Sequence, residues 1–307
     1  MFKNGDVICL LGDSITANGI WGAEVYQVVG ATCDARFYNC GVSGSTATNA
    51  AQYLYSMCLS KNPDKVAVMF GVNDIDRGAL SASYTGTDGR ERVAAAVARY
   101  GEKMEYIVKS IKDFGADPIL CTAPPYDEYN ESESENLGCD YALAECADIV
   151  HALAKKYDCH LVDFRREMLS IIRERRPIGS DRVHPNAKGY HIMAQIFLRE
   201  CGIIPECDYD TPFELEEWNA KRREAEVKLK QLDYIEYNRY FGKIRNEGWG
   251  VPEIKDACRT VVETSTTATP FIMNCCGFYL DNASHRDEIY NELVKLTVYP
   301  RNAKKRT

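Results

Sequence analysis

From residue 6 onward the chain alternates short runs rich in Val, Ile, Leu and Phe with longer stretches of helical period, and no other feature constrains its fold as strongly. This is the pattern of βαβ units around a parallel sheet. The strand-length runs fall at 7–11, 36–39, 65–70, 118–122 and 160–163, and most end in Gly, Asn, Asp or Pro, as strands do when they feed functional loops. The segments between them predict helices over 21–29, 46–59, 90–114, 141–157 and 186–201, the last with Ile192, Met193, Ile196 and Phe197 on one face. Right-handed crossovers then give an α/β fold: a three-layer α/β/α sandwich on a five-stranded parallel sheet.

Around 205–212 the alternation stops, which predicts a boundary between a domain at 1–204 and a mostly helical extension at 205–307. Thr211 and Glu214 are spaced as a capping box around Pro212, and Leu215, Trp218, Leu229, Leu232, Ile235 and Tyr240 give the segment an apolar side. A second helix is expected near Ser284, carrying Ile289, Tyr290, Leu293 and Leu296. Apolar stripes of this kind leave three uses open: a brace on the parent domain, a lid, or a homodimer contact. Residues 126–140 hold Asp127, Glu128, Glu131, Glu133 and Glu135 and read as a solvated loop that borders a site because it follows a strand.

Several partner classes are excluded by composition. With 45% hydrophobic and 27% charged residues the chain is an ordinary globular protein, and its net charge of −8 repels phosphate backbones and anionic lipid, so no nucleic acid partner is expected. No apolar run approaches the roughly 18 to 20 residues of a membrane span. Residues 1–6 reach an acidic side chain before a short apolar run, too short for a signal segment, which points to the cytoplasm. Thirteen cysteines in such a chain read as reduced, buried thiols. Cys159–His160, Cys275–Cys276 and Cys201 with Cys207 lack zinc-knuckle spacing, so no metal is expected.

Chemistry enters at the strand ends. Gly12-Asp13-Ser14-Ile15-Thr16 follows the first strand and puts Ser14 in a turn at the carboxyl edge of the sheet, where open α/β sheets hold ligands. A serine there serves equally well as a helix cap unless a base accompanies it. The candidate base lies in Ser180-Asp181-Arg182-Val183-His184-Pro185, where Pro185 biases His184 towards extended backbone and Asp181 stands three positions before it. Asp181 can then accept from the imidazole Nδ1–H while Nε2 takes the Ser14 proton. Two further segments, Gly41-Val42-Ser43-Gly44-Ser45 and Gly71-Val72-Asn73-Asp74, reach the same rim and offer a Gly44 backbone N–H and an Asn73 side-chain NH2 for an oxyanion.

In this order the four segments resemble the blocks of the SGNH hydrolases, the GDSL esterase and lipase family. Ser14 corresponds to the nucleophile, Gly44 and Asn73 to the glycine and asparagine blocks, and Asp181 with His184 to the DxxH block; the likeness covers about residues 5–201. It implies a flavodoxin-like sandwich, a Ser-His-Asp mechanism and an oxyanion hole of Ser14 N–H, Gly44 N–H and Asn73. Asp13, Pro125 and Tyr126 are expected to bind substrate. The GxSxG elbow of α/β-hydrolases is broken by Ser45, so Ser43 is no nucleophile, and no nucleotide-phosphate motif occurs.

The resulting expectation is a cofactor-free serine esterase acting on a small-molecule ester, with short acyl groups, O-acetyl groups on sugars among them, favoured over fats. Activity should fall as the imidazole protonates on acidification. Lysophospholipase, thioesterase and acyltransferase chemistry use the same acyl-enzyme and stay open, as does a non-catalytic carbohydrate- or lipid-binding role.

Overall fold

The computed structural model describes residues 1–130, 136–174 and 178–211. Residues 1–54 and 63–212 form one compact unit, and 55–62 belong to a second. The two C-terminal helices expected beyond the 204/205 boundary, and their roles as brace, lid or dimer element, fall on residues 212–307, which lie outside the described residues.

The sheet consists of β1 (Val7–Gly12), β2 (Arg36–Gly41), β3 (Lys65–Met69), β4 (Asp117–Cys121) and β5 (His160–Val162), all parallel, in the order β2-β1-β3-β4-β5. This is the flavodoxin-like order, in which chain direction across the sheet reverses beside β1. Ile8, Cys9, Leu10 and Leu11 are all buried, as a strand covered on both faces requires.

Seven α-helices are described: α1 (Ser14–Ala17), α2 (Ile20–Gly30), α3 (Ala47–Tyr53), α4 (Gly89–Phe114), α5 (Cys139–Tyr157), α6 (Phe164–Arg173) and α7 (Ala187–Glu200). Helices α2, α6 and α7 pack together in one layer, and α3, α4 and α5 in another. The expected sandwich is therefore present. Trp21 of α2 anchors the first layer, with its ring 5.8 Å from Phe164 and 5.4 Å from Phe197. No helix of the described residues is long and apolar enough to cross a membrane.

Three expectations need correction. The helix foreseen over 46–59 is α-helical only to Tyr53, after which Leu54–Cys58 form a π-turn and Leu59–Lys61 a 3-10 turn. Helix α6 was not foreseen, although Phe164, Met168, Ile171 and Ile172 repeat at helical spacing and Asp163 caps it by accepting from Arg166 N. The 126–140 loop is not simply solvated. Tyr126 and Asp127 are buried, and Glu128 accepts from Gly138 N and Asp140 N at 2.8 and 3.2 Å, while Glu131, Glu133 and Glu135 lie outside the described residues.

The segment after α7 is tied back to the domain. His191 lies 2.9 Å from Glu24 Oε1 through Nδ1 and 2.7 Å from the Asp208 carbonyl through Nε2, while Gln195 donates to Glu24 at 2.8 Å. Both imidazole nitrogens face acceptors, so both must donate, and the bond to Glu24 raises the His191 pKa.

Candidate active site

Strand β1 ends at Gly12, and Asp13 turns the chain into α1 by accepting the Ile15 N–H at 2.9 Å. Ser14 is thus the first residue of a single helical turn on the rim of the sheet. The turn is held against β2 by Asn39, whose amide donates to the Thr16 carbonyl at 3.0 Å and accepts from Gly41 N at 2.9 Å. This approach needs a glycine at 41, because a Cβ there would stand 2.3 Å from the backbone nitrogen of Ala17.

The loop before α7 closes on itself. Ser180 donates to the His184 carbonyl through N at 2.8 Å and through Oγ at 3.0 Å. Asp181 Oδ1 accepts from the backbone N–H groups of Val183 and His184, both at 2.6 Å, and Oδ2 lies 2.8 Å from His184 Nδ1. Burial pushes the Asp181 carboxyl up, but the imidazole bond and the two backbone donors outweigh it and hold the group below the usual carboxylate range. A carboxylate at Nδ1 requires the proton on that nitrogen, which leaves the Nε2 lone pair for Ser14 Oγ at 2.9 Å.

The loop after β4 pins the Asp181–His184 loop from the side. Asp127 N donates to the Arg182 carbonyl at 2.9 Å, Arg182 Nε to the Asn130 carbonyl at 3.1 Å, and Asn130 Nδ2 to the Asp181 carbonyl at 3.3 Å. A shallow open pocket lies here, lined by Pro124, Pro125, Met168, Ile172, Ile178 and His184 among others. Pro125 therefore borders the same pocket as His184. Tyr126 and Asp13 are 3% and 1% exposed, Tyr126 N donates to Asp140 at 3.1 Å, and Asp13 caps α1.

On the other flank, Val42 N donates to the Gly12 carbonyl at 2.9 Å and brings the glycine segment to the end of β1. Gly44 has φ +74°, a left-handed conformation that glycine adopts without strain. Neither Gly44 N–H nor Ser14 N–H has an acceptor among the described residues. Asn73 Nδ2 donates to the Ser45 carbonyl at 3.1 Å, which sets the asparagine against the glycine segment.

Beneath this rim sit two buried carboxyls that sequence reasoning did not single out as a pair. Burial pushes Asp13 up to about 6. Asp74 is pushed up to about 7 by burial, opposed by the bond from Ala47 N and reinforced by the Asp13 charge. Asp74 Oδ1 accepts that Ala47 N–H at 2.8 Å, and Oδ2 is buried with no hydrogen-bond partner among the described residues. Asn39, Asp74 and Arg77 all stand in or beside the segments that drew attention, but which side chain reaches which backbone group is not written in local spacing.

Comparison with known proteins agrees with the fold. The model of the GDSL-like Lipase/Acylhydrolase family matches residues 10–192. An acetylxylan esterase of Geobacillus stearothermophilus is 26% identical over 219 residues, covering 65% of this chain and 95% of that protein. Among solved structures, a catalytic mutant of an acetylxylan esterase from the same organism superposes with a TM-score of 0.55 at 22% identity, covering 67% of this chain and 99% of that one. A gut microbial diltiazem-metabolizing enzyme superposes with a TM-score of 0.60 at 24% identity over 66% of this chain, which spans 48% of that chain, about half its length. At these identities the superpositions speak to the fold.

Proposed function

We propose, from the premise that this chain belongs to the GDSL-like lipase/acylhydrolase family and is a carboxylic ester hydrolase, that it works through a Ser14–His184–Asp181 triad and an acyl-enzyme. The observation that carries the reading is the unbroken relay from Ser14 Oγ to His184 Nε2 at 2.9 Å and from His184 Nδ1 to Asp181 at 2.8 Å, at the carboxyl end of β1.

In this mechanism His184 takes the Ser14 proton as Oγ attacks the ester carbonyl, and Asp181 stabilises the imidazolium that results. Ser14 N–H, Gly44 N–H and the Asn73 amide hold the oxyanion of the tetrahedral intermediate. Its collapse breaks the bond to the alcohol, which leaves with the proton returned by His184. A water deprotonated by the same imidazole then attacks the acyl-Ser14 and releases the acid. The steps use protein groups and water.

For substrate, the reading favours short acyl esters, O-acetyl groups on carbohydrate in particular. The support is likeness to an acetylxylan esterase over nearly that protein's full length. A panel of acetylated xylo-oligosaccharides, a lysophospholipid and an acyl thioester, each run with Ser14→Ala as control, tests it. Ser14-dependent release of acetate from the sugars is the expected result. Ser14-dependent turnover confined to the lysophospholipid or the thioester overturns the substrate assignment and keeps the mechanism. Labelling of the wild type but not Ser14→Ala by a fluorophosphonate tests the nucleophile separately.

A further inference from the structure

An asparagine can stabilise an oxyanion only with its NH2 turned towards it, since the amide oxygen in that place would repel the developing charge. In this protein the two neighbours of the Asn73 amide both enforce the useful orientation. Arg77 Nη2 donates to Asn73 Oδ1 at 3.3 Å, and Asn73 Nδ2 donates to the Ser45 carbonyl at 3.1 Å. A guanidinium has donors only and a backbone carbonyl accepts only, so a flipped amide would oppose N–H to N–H and C=O to C=O at once. One Nδ2 hydrogen serves Ser45, and the other remains for the oxyanion.

Building on the esterase reading, we infer that Arg77 is a positioning residue for the oxyanion hole, fixing the Asn73 amide and polarising its N–H through the amide oxygen. A cation on that oxygen draws electron density away from the nitrogen, which strengthens the N–H as a donor to an anion. Arg77 is suited to this because it forms no ion pair with a carboxylate among the described residues. Arg92, Arg165 and Arg199, by contrast, pair with Asp76, Asp140 and Glu167. Its backbone is held in the turn after β3, with Arg77 N donating to the Ile75 carbonyl at 2.9 Å and Leu80 N to the Arg77 carbonyl at 3.2 Å. Arg92 of α4 clamps the adjacent Asp76 at 2.8 Å, so the turn cannot swing freely.

The test is a double-mutant cycle in the full chain with p-nitrophenyl acetate as probe, using Arg77→Met, Asn73→Ala and the double variant, with Arg77→Lys alongside. Losing one charge-assisted bond predicts that Arg77→Met lowers kcat about 10- to 100-fold with KM little changed, and that Arg77→Lys recovers part of the loss. Because Arg77 acts through Asn73, the double variant should be no slower than Asn73→Ala. If Arg77→Met fails to fold, Arg77→Gln provides the same cycle, and its loss must likewise vanish in the Asn73→Ala background. A folded Arg77→Met with wild-type kcat, losses that multiply in the double variant, or a loss carried by KM overturns the inference while a dead Ser14→Ala preserves the esterase reading. Turnover retained by Ser14→Ala overturns both.

Discussion

Ser14 Oγ stands 2.9 Å from His184 Nε2, although 170 positions of chain separate the two residues. The turn that carries the chain from β1 into α1 and the loop between α6 and α7 meet at the carboxyl rim of the sheet, where open α/β folds hold their ligands. If the hydroxyl is the nucleophile, Ser14→Ala should abolish hydrolysis of a small aryl ester. Ser14 lies in a surface turn, so stability should change by no more than about 0.5 kcal/mol in a denaturant melt.

Asp181 holds His184 by its side chain and by two backbone N–H bonds, so Asp181→Asn should separate charge from geometry. Asparagine can still accept the backbone bonds, but it no longer favours the Nδ1–H tautomer or stabilises the imidazolium. The corresponding change in a studied serine protease costs about 10⁴ in kcat. We expect a loss above about 10²-fold with KM nearly constant, and a kcat near wild type would remove Asp181 from the relay.

The buried carboxyls Asp13 and Asp74 give stability a pH dependence of known sign. Burial raises them to about 6 and about 7, above their unfolded range near 3.9, so the native state binds more protons than the unfolded state between those values. Their effect is therefore to lower stability as pH rises from about 4 to 7, by up to about 1.4 kcal/mol per pH unit for each carboxyl that must ionise. Urea melts across this range should show the decline, and Asp74→Asn should flatten it. An unchanged slope in that variant would contradict the assignment.

His191 acts as a clasp whose charge matters. Its pKa is raised by Glu24, so its stabilising contribution is complete below the unfolded value of about 6.5 and is lost as pH rises through the folded value. His191→Leu leaves Glu24, 2% exposed, without its cation and should cost about 3 kcal/mol near neutral pH. Melting of the variant beside the wild type checks this, and a difference that does not shrink at alkaline pH would show that packing rather than charge is lost.

Gly41→Ala should be costly for a different reason. The added Cβ would meet the backbone nitrogen of Ala17 at 2.3 Å, and a backbone atom cannot rotate away as a side chain can. We expect about 1 to 3 kcal/mol of destabilisation and reduced turnover, because α1 carries Ser14 and must move. Thermal unfolding and kcat together test the coupling; loss of one without the other would break it.

Much of the architecture was legible because strands and helices announce themselves by period. The runs that became β1 and β3 are continuous and apolar, and the helix over α7 carries its buried face at regular spacing. Helix α6 escaped because its apolar positions are interleaved with Arg165, Arg166, Glu167 and Arg173, whose partners come from elsewhere: Arg165 from Asp140 at 2.5 Å, Glu167 from Arg199. The same cause misled the reading of 126–140. Glu128 looks solvated in the sequence until the backbone N–H groups of Gly138 and Asp140, ten and twelve positions on, are seen to point at it.

Local sequence by itself determined the alternation of elements, the strand ends at which Ser14, Gly44 and Asn73 stand, and the three-residue spacing that lets Asp181 orient His184, because each depends on chemistry within a few residues. Only the tertiary structure decided that Ser14 meets His184, that Asp13 and Tyr126 are buried supports, that Asp74 shares buried surroundings with Asp13, and that Arg77 bonds the Asn73 amide. The physical reason is that hydrogen bonds and desolvation depend on separations of a few ångströms in space, and a chain folded into a parallel sheet sets those separations by strand order rather than by distance along the sequence.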